Sequence, residues 1–231
     1  MKVLSFDIGI KNLAYCVIED TTHTIESWGI LNISAEESCS HVSKGSLVSC
    51  ENTAKYRSGE TCLCPSHHKL KMYQELTCKK IPKVKNPTLE IGKNIARLLD
   101  THPEFLEVDL VLLENQPALK NPTMKSVQML VYGYFLVKGI MTDSPIQNIQ
   151  MINARNKLKA YQGPPIPCDI KDTYKKTKYL GIKYCESMIT QNKDISEEWL
   201  TLFASSRKKD DLSDAYLQGM FVLTKITKNT K

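Results

Sequence analysis

The chain has 231 residues, 31 Lys and Arg against 25 Asp and Glu, 42% hydrophobic and 24% charged. Those proportions exclude a fibrous or disordered polypeptide and suit one globular domain with an elaboration, whose core makes disulfides optional, so the eight cysteines need another account. A charge at Asp7 argues against a secretory leader, and the longest apolar runs, around Val108 to Leu113 and Met129 to Val137, fall short of the roughly 20 residues that span a bilayer.

KVLSFDIGI, NLAYCVIED and TIESWGILNI read as three strands in close succession, an antiparallel meander. From Ser34 to about Lys85 apolar periodicity fades, and five of the eight cysteines crowd in with three histidines, so residues 34–85 are expected to form an insertion with its own local order. After Asn86-Pro87-Thr88, the residues Leu89, Ile91, Ile95, Leu98 and Leu99 approximate one helical face. VDLVLLEN has the pattern of a buried strand, PTMKSVQMLVYGYFLVKGI that of a largely buried helix, and PIQNIQMIN that of a further strand. Three prolines and a glycine make Gln162 to Pro167 a loop, and two helices are expected around Thr173 to Thr190 and Lys209 to Thr227. Three strands, helix, strand, helix, strand, helices is the order of an α/β sandwich with a mixed sheet, specifically the ribonuclease H-like arrangement.

Two acids stand where acids are expensive. Asp7 lies in an apolar strand two residues before Gly9, and Glu114 ends the run VLLE at the carboxyl end of a strand, the usual location of sites in α/β sheets. In KKDDLSDAYLQGMF, Asp211 and Asp214 are three apart and project from one helical face, whereas Asp210 lies about 100° round the helix and reads as a solvated first-turn acid or cap. Four carboxylates of this kind, hard oxygen donors, suit a pair of Mg²⁺ ions about 4 Å apart, with Mn²⁺ as a substitute, set for in-line attack on a phosphodiester.

The basic residues are unevenly spread. From Asn153 to Lys183 there are eight (Arg155, Lys157, Lys159, Lys171, Lys175, Lys176, Lys178, Lys183) against two acids, a local excess equal to the whole chain's +6. Such a block is either a solvated helix face or a footprint on a polyanion.

FDIGIKNLAYCVIED, LLENQP and KKDDLSDAYLQ together resemble the RuvC-type Holliday junction resolvases, most closely the poxvirus-type enzymes of large DNA viruses and their fungal mitochondrial relatives. The resemblance covers the chain apart from residues 34–85, with all three acidic motifs in the family's order. It implies a single nuclease domain over residues 1–231, with Asp7, Glu114, Asp211 and Asp214 as catalytic metal ligands, and a homodimer that nicks a branched double-stranded DNA junction symmetrically. It further implies that Arg155, Lys157, Lys159, Lys175 and Lys176 track phosphates, that Lys208 and Lys209 touch the scissile strand, and that Gln116, Asn121 and Lys125 face DNA. An intracellular, reducing location follows, which for a viral protein means the host cytoplasm at sites of viral DNA replication.

Cys39, His41, Cys50, Cys62, Cys64, His67, His68 and Cys78 are an excess of soft ligands in a segment too poor in apolar residues to fold alone, and a structural Zn²⁺ would stabilise it. Cys64-Pro-Ser-His67 is the best-defined pair, and the resemblance to insertions in viral relatives points to Cys39 and Cys50 as its distal partners, with Cys62, His68 and Cys78 as alternatives. Cys16, Cys168 and Cys185 read as packing residues.

Competing readings are an actin-like ATPase, which needs a second glycine-rich phosphate loop and a duplicated domain that this chain lacks, a nuclease on RNA·DNA hybrids, and a catalytically silent nucleic-acid-binding protein of the same fold. Retention of all four carboxylates separates an enzyme from the last of these.

Overall fold

The apolar alternation of the opening residues becomes three paired strands. A computed structural model describes residues 1–43, 45 and 49–229. In chain order the elements are β1 (Lys2–Ile8), β2 (Asn12–Glu19), β3 (Ile25–Asn32), β4 (Tyr56–Ser58), β5 (Thr61–Leu63), β6 (Lys79–Lys80), α1 (Pro87–Asp100), β7 (Leu110–Glu114), α2 (Pro122–Phe135), β8 (Asn148–Ile152), α3 (Thr173–Gln191), α4 (Glu197–Ser205) and α5 (Lys209–Asn229). They form two compact units, Met1–Ile33 with the residues from Gly92 onward, and Ser34–Ile91.

In the larger unit five strands lie in the order β3-β2-β1-β7-β8. β2 is antiparallel to β1 and to β3, while β7 is parallel to β1 and β8 to β7. This is the mixed, helix-flanked α/β sheet of the ribonuclease H-like arrangement that the element order implied. The hairpin from β1 to β2 depends on Gly9, where a Cβ would lie 2.5 Å from the Asn12 carbonyl oxygen.

Alternation along β1 assigns its residues to two faces. Leu4, Phe6 and Ile8 point to one side, where Phe6 meets Phe105 and Phe135 at ring-centroid distances of 5.8 and 5.6 Å. Val3 and Ser5 point to the other, with Leu110 and Leu112 of β7 beside them. α5 lies over this second face and buries Leu212, Ala215, Tyr216, Leu217, Met220 and Leu223. A Cβ on Gly219 would sit 2.8 Å from Ile18 Cδ1, so the missing side chain is what lets the helix come so close to the sheet. The start of α5 is held by Trp28, whose Nε1 donates to the Leu212 carbonyl at 3.1 Å and whose ring stacks on Phe203 of α4.

Where structure and sequence pattern differ, local geometry explains the difference. The helix expected to reach Ile140 is α-helical to Phe135 and continues as a wider π turn over Leu136–Ile140. Leu89, expected on the buried face of α1, is 52% exposed because the first turn lies at the surface, while Ile91, Ile95 and Leu99, four apart, are buried. The short helix α4 and the 3-10 turn Ala154–Ala160 have too few residues to show a helical period, and neither was expected.

The smaller unit has an antiparallel sheet in the order β5-β4-β6 and two 3-10 turns, His67–Lys69 and Lys71–Tyr73. Its buried cluster is Cys39, Leu63 and Cys64, edged by Cys50, Tyr56, Tyr73 and Cys78, so sulfur stands where hydrocarbon would normally pack.

Candidate active site and metal centre

Strand register brings the first two acids together. Val3 pairs with Leu110 and Ser5 with Leu112, and one more step along both parallel strands sets Asp7 beside Glu114 on the face beneath α5. The helix supplies the third. Gln218 donates to Ser5 Oγ at 3.0 Å and to the Phe6 carbonyl, which fixes α5 against β1. Asp214 is four residues back along the helix, about 6 Å, and Asp7 is two residues on along the strand, about 6.6 Å, so the two side chains arrive at the same level.

Lys157, from the 3-10 turn after β8, fills the space between these acids. Its Nζ contacts Asp214 and lies 3.9 Å from Glu114 Oε1, and the side chain is only 13% exposed. Burial and the neighbouring Glu114 and Asp214 carboxylates push the Asp7 carboxyl well above the usual range. Burial likewise raises Asp214, to about 6, against the pull of Lys157. Burial opposes the Lys157 charge, yet Asp214, Asp7 and Glu114 together hold the ammonium above the ordinary lysine value. Glu114 is steadied from behind: Gln116 Nε2 donates to its Oε2 at 2.5 Å, and the Gln116 backbone N–H donates to Oε1 of the fully buried Gln128 at 2.9 Å.

Asp211 stands slightly apart. It accepts from Asn12 Nδ2 at 3.3 Å, and burial followed by repulsion from Asp210 raises its carboxyl. Asp210 turns away to Lys178, 2.5 Å distant, so it is half of an ion pair rather than a freely solvated cap.

The basic residues divide. Arg155, Lys159, Lys175 and Lys176 are exposed. Lys157 is turned inward onto the carboxylates instead of outward to phosphates, because three acids surround it. Lys208 is half-buried near Asp211, and Lys209 places its ammonium over the Phe203 ring at 5.7 Å. Three residues expected to face DNA have local partners: Gln116 is buried against Glu114, Asn121 caps α2 by accepting from the Met124 N–H, and Lys125 donates to Asn115 and Gln128. Asn12 and the inward roles of Lys157 and Gln116 were not expected; the signal for Lys157 was a basic residue in the turn that follows the strand beside the Glu114 strand.

The donor set suits a hard divalent cation. It consists of carboxylate oxygens from Asp7, Glu114, Asp214 and, at the edge, Asp211, and the position they surround already attracts a positive group in the form of Lys157. Replacing Lys157 by Met tests this. Without Mg²⁺, the loss of the ammonium leaves the buried acids unpaired, an expected cost of about 3–5 kcal/mol. Added Mg²⁺ should then raise the melting temperature of Lys157→Met more than that of the native chain, because the ion no longer competes with an ammonium. An equal or smaller shift in the variant would remove the cation from this site.

In the smaller unit Cys39, Cys50, Cys64 and His67 bring one ligand atom each within 4.8 Å of all the others. His67 Nδ1 is 3.4 Å from both Cys39 Sγ and Cys64 Sγ. Tetrahedral bonds of about 2.3 Å to sulfur and 2.0 Å to nitrogen give ligand–ligand edges of roughly 3.5–3.8 Å, so the set fits one ion with little movement. Burial raises the Cys64 thiol, but the His67 and Ser66 N–H groups aimed at the sulfur, with the neighbouring Cys39 and Cys50, together leave the thiol below its ordinary value. Burial and the adjacent His41 lower His67, favouring the neutral imidazole that a metal requires. The alternatives are engaged elsewhere: Cys62 donates to Glu37, His68 stacks on Tyr56 at 3.9 Å, and Cys78 packs against the cluster from its edge. Cys16 and Cys185 are buried in the core of the larger unit, and Cys168 is half-buried.

Fold and site together give a ribonuclease H-like sheet with a cluster of acids at the carboxyl ends of its parallel strands. No family model matches the chain. It is 26% identical to an uncharacterized protein of Acanthamoeba polyphaga mimivirus, an alignment covering 100% of this chain and 76% of that protein. It is 25% identical to an uncharacterized protein of Invertebrate iridescent virus 3, covering 92% and 94%. Similar solved structures are the yeast mitochondrial Holliday junction resolvase Ydc2 (16% identity, 99% of this chain and 83% of that one, TM-score 0.49) and the Fowlpox virus resolvase in complex with substrate Holliday junction DNA (17%, 98% and 99%, 0.46). A third is Thermus thermophilus RuvC with a Holliday junction substrate (11%, 98% and 96%, 0.48). Among the described residues no helix is long and apolar enough to cross a membrane.

Proposed function

We propose that this protein is a Mg²⁺-dependent endonuclease that resolves four-way DNA junctions by paired symmetric nicks, as a homodimer, during processing of recombination and replication intermediates. The observation that carries the reading is the meeting of Asp7, Glu114 and Asp214 around one buried cation at the strand ends, with Asp211 one helical turn away. Divalent ions held by these oxygens supply the charge that stabilises an in-line phosphodiester displacement. Gln116 holds the Glu114 carboxylate in place, and Trp28 and Gln218 hold α5 so that Asp214 keeps its level with Asp7. Lys157 neutralises the acids before substrate arrives and is then available to a phosphate oxygen. Arg155, Lys159, Lys175 and Lys176 contact the backbone without reading sequence. Met129, Val137 and Met141, all exposed, supply apolar surface for a second copy of the chain.

The metal in the smaller unit is Zn²⁺ and structural. Soft sulfur and imidazole donors select it, while the hard oxygens of the carboxylate cluster select Mg²⁺.

One comparison of products tests the catalytic reading. With Mg²⁺ or Mn²⁺, labelled four-way junction is expected to give paired symmetric nicks, with intact linear duplex and RNA·DNA hybrid cut far less, and Ca²⁺ is expected not to support cleavage. Preferential cutting of the hybrid would make the protein a ribonuclease H, and tight junction binding with no cleavage would make it a binding protein.

A further inference from the structure

The smaller unit carries a groove of about 1090 Å³ whose lining residues all belong to that unit. Five cations border it, Lys55, Arg57, Lys79, Lys80 and Lys83, against two acids, Glu36 and Glu37. Both acids are engaged: Lys55 Nζ lies 2.9 Å from Glu36, and Arg57 contacts Glu37. Lys79, Lys80 and Lys83 are exposed and have no ion pair among the described residues. The positive charge is therefore uncompensated on the side formed by β6 and the residues after it. The apolar part of the lining is Ala54, Ile81, Pro82 and Val84, with Tyr56, whose ring stacks on His68, at its border.

We infer that this groove binds a single, unpaired nucleic-acid strand, its phosphates on Lys79, Lys80 and Lys83 and its bases on the apolar floor at Ile81, Pro82 and Val84. Lone lysines on a flat surface would serve any polyanion. A concave surface that sets cations beside an apolar floor matches a chain that is charged along one edge and flat and apolar along the other. A duplex outside its grooves offers phosphate and sugar only, which leaves the floor without a partner. The volume lies just above the about 300–1,000 Å³ typical of small-molecule pockets, enough for a short run of nucleotides. An acidic peptide would satisfy the lysines but not the floor. The inference does not depend on the endonuclease reading, since the groove lies wholly in the smaller unit and its test reads binding alone.

The test uses the full chain with its zinc and two charge reversals of equal size. Lys79→Glu with Lys80→Glu alters the groove; Lys69→Glu with Lys71→Glu alters exposed lysines of the same unit outside it. Zinc content and melting temperature establish that both variants are folded. Fluorescence anisotropy with a short labelled oligothymidylate should show the groove variant binding about tenfold or more weaker, with its salt slope reduced by about 1.4, two phosphate contacts at roughly 0.7 each. The control pair should change affinity much less. Equal weakening by both pairs would make the effect general electrostatics and overturn the assignment. Displacement by polyglutamate as readily as by unlabelled oligothymidylate would make the groove a peptide site, and equal competition by blunt duplex would remove the role given to the floor. A protein that cuts no junction yet passes this test keeps the groove and loses only the nuclease reading.

Discussion

Asp7→Asn is expected to lower junction cleavage by on the order of 10²–10³-fold or more, the scale seen when a preorganised charged group is removed from a catalytic site, while junction binding is largely kept. On the proposed reading, affinity would come from the exposed basic residues, which the substitution leaves alone. Glu114→Gln and Asp214→Asn should behave alike, since both acids share Lys157 with Asp7. Asp211→Asn should lose less, because its carboxylate sits with Asn12 and Asp210 outside that ring, and Asp210→Asn should be mild, since Asp210 faces Lys178. A second readout separates catalysis from folding. Burial and two neighbouring carboxylates already disfavour charge at Asp7, so Asp7→Asn should raise the melting temperature of metal-free protein at neutral pH. Native activity in Asp7→Asn would exclude this acid from the site, and a fall in melting temperature would show that its charge is structural.

Removing the metal from the smaller unit should unfold that unit locally. Elemental analysis of protein purified without chelator is expected to find one zinc per chain, and Cys39→Ser, Cys50→Ser, Cys64→Ser or His67→Ala should each lower it. Structural zinc contributes on the order of 10 kcal/mol to folding in small zinc peptides, and the buried cluster here consists largely of the ligands themselves, so little else holds the unit together. Hydrogen exchange reads the result by residue. After chelation the amides of Cys39, Cys50 and His68, bonded to Asn52, His41 and Cys64, should lose protection, while those paired between β1 and β2 keep it. Zinc-free protein with unchanged protection over residues 34–91 would leave these cysteines as ordinary reduced thiols.

Much of the fold was legible because its signals are local. Short apolar runs between polar breaks mark β1, β2 and β3, the run before Glu114 marks a buried strand, and the helices expected from Pro122 and from about Thr173 begin there, under side-chain caps from Asn121 and Asp172 that were not foreseen. The short elements escaped: α4 and the turn over Ala154–Ala160 are stabilised by what they pack against, Trp199 and Phe203 in the core and Lys157 on the acids. Spacing within Cys64-Pro-Ser-His67 was readable for the same reason, since a three-residue turn fixes it.

Residue identity alone marked the candidate groups: acids in apolar strands, two acids on one helical face, soft ligands in an insertion with little hydrocarbon. It could not determine their partners, because a partner is set by contacts between residues far apart in the chain. The register of β1 on β7 placed Asp7 beside Glu114, and the Ser5 to Gln218 bond slid α5 until Asp214 reached them. Lys157 reads in sequence as one of eight basic residues on a polyanion footprint, and only the fold, by enclosing it with three carboxylates, made inward pairing more favourable than solvation. Folding likewise separated Cys39, Cys50, Cys64 and His67 from Cys62, His68 and Cys78, a choice that composition and spacing left open because all seven lie within 40 residues of one another.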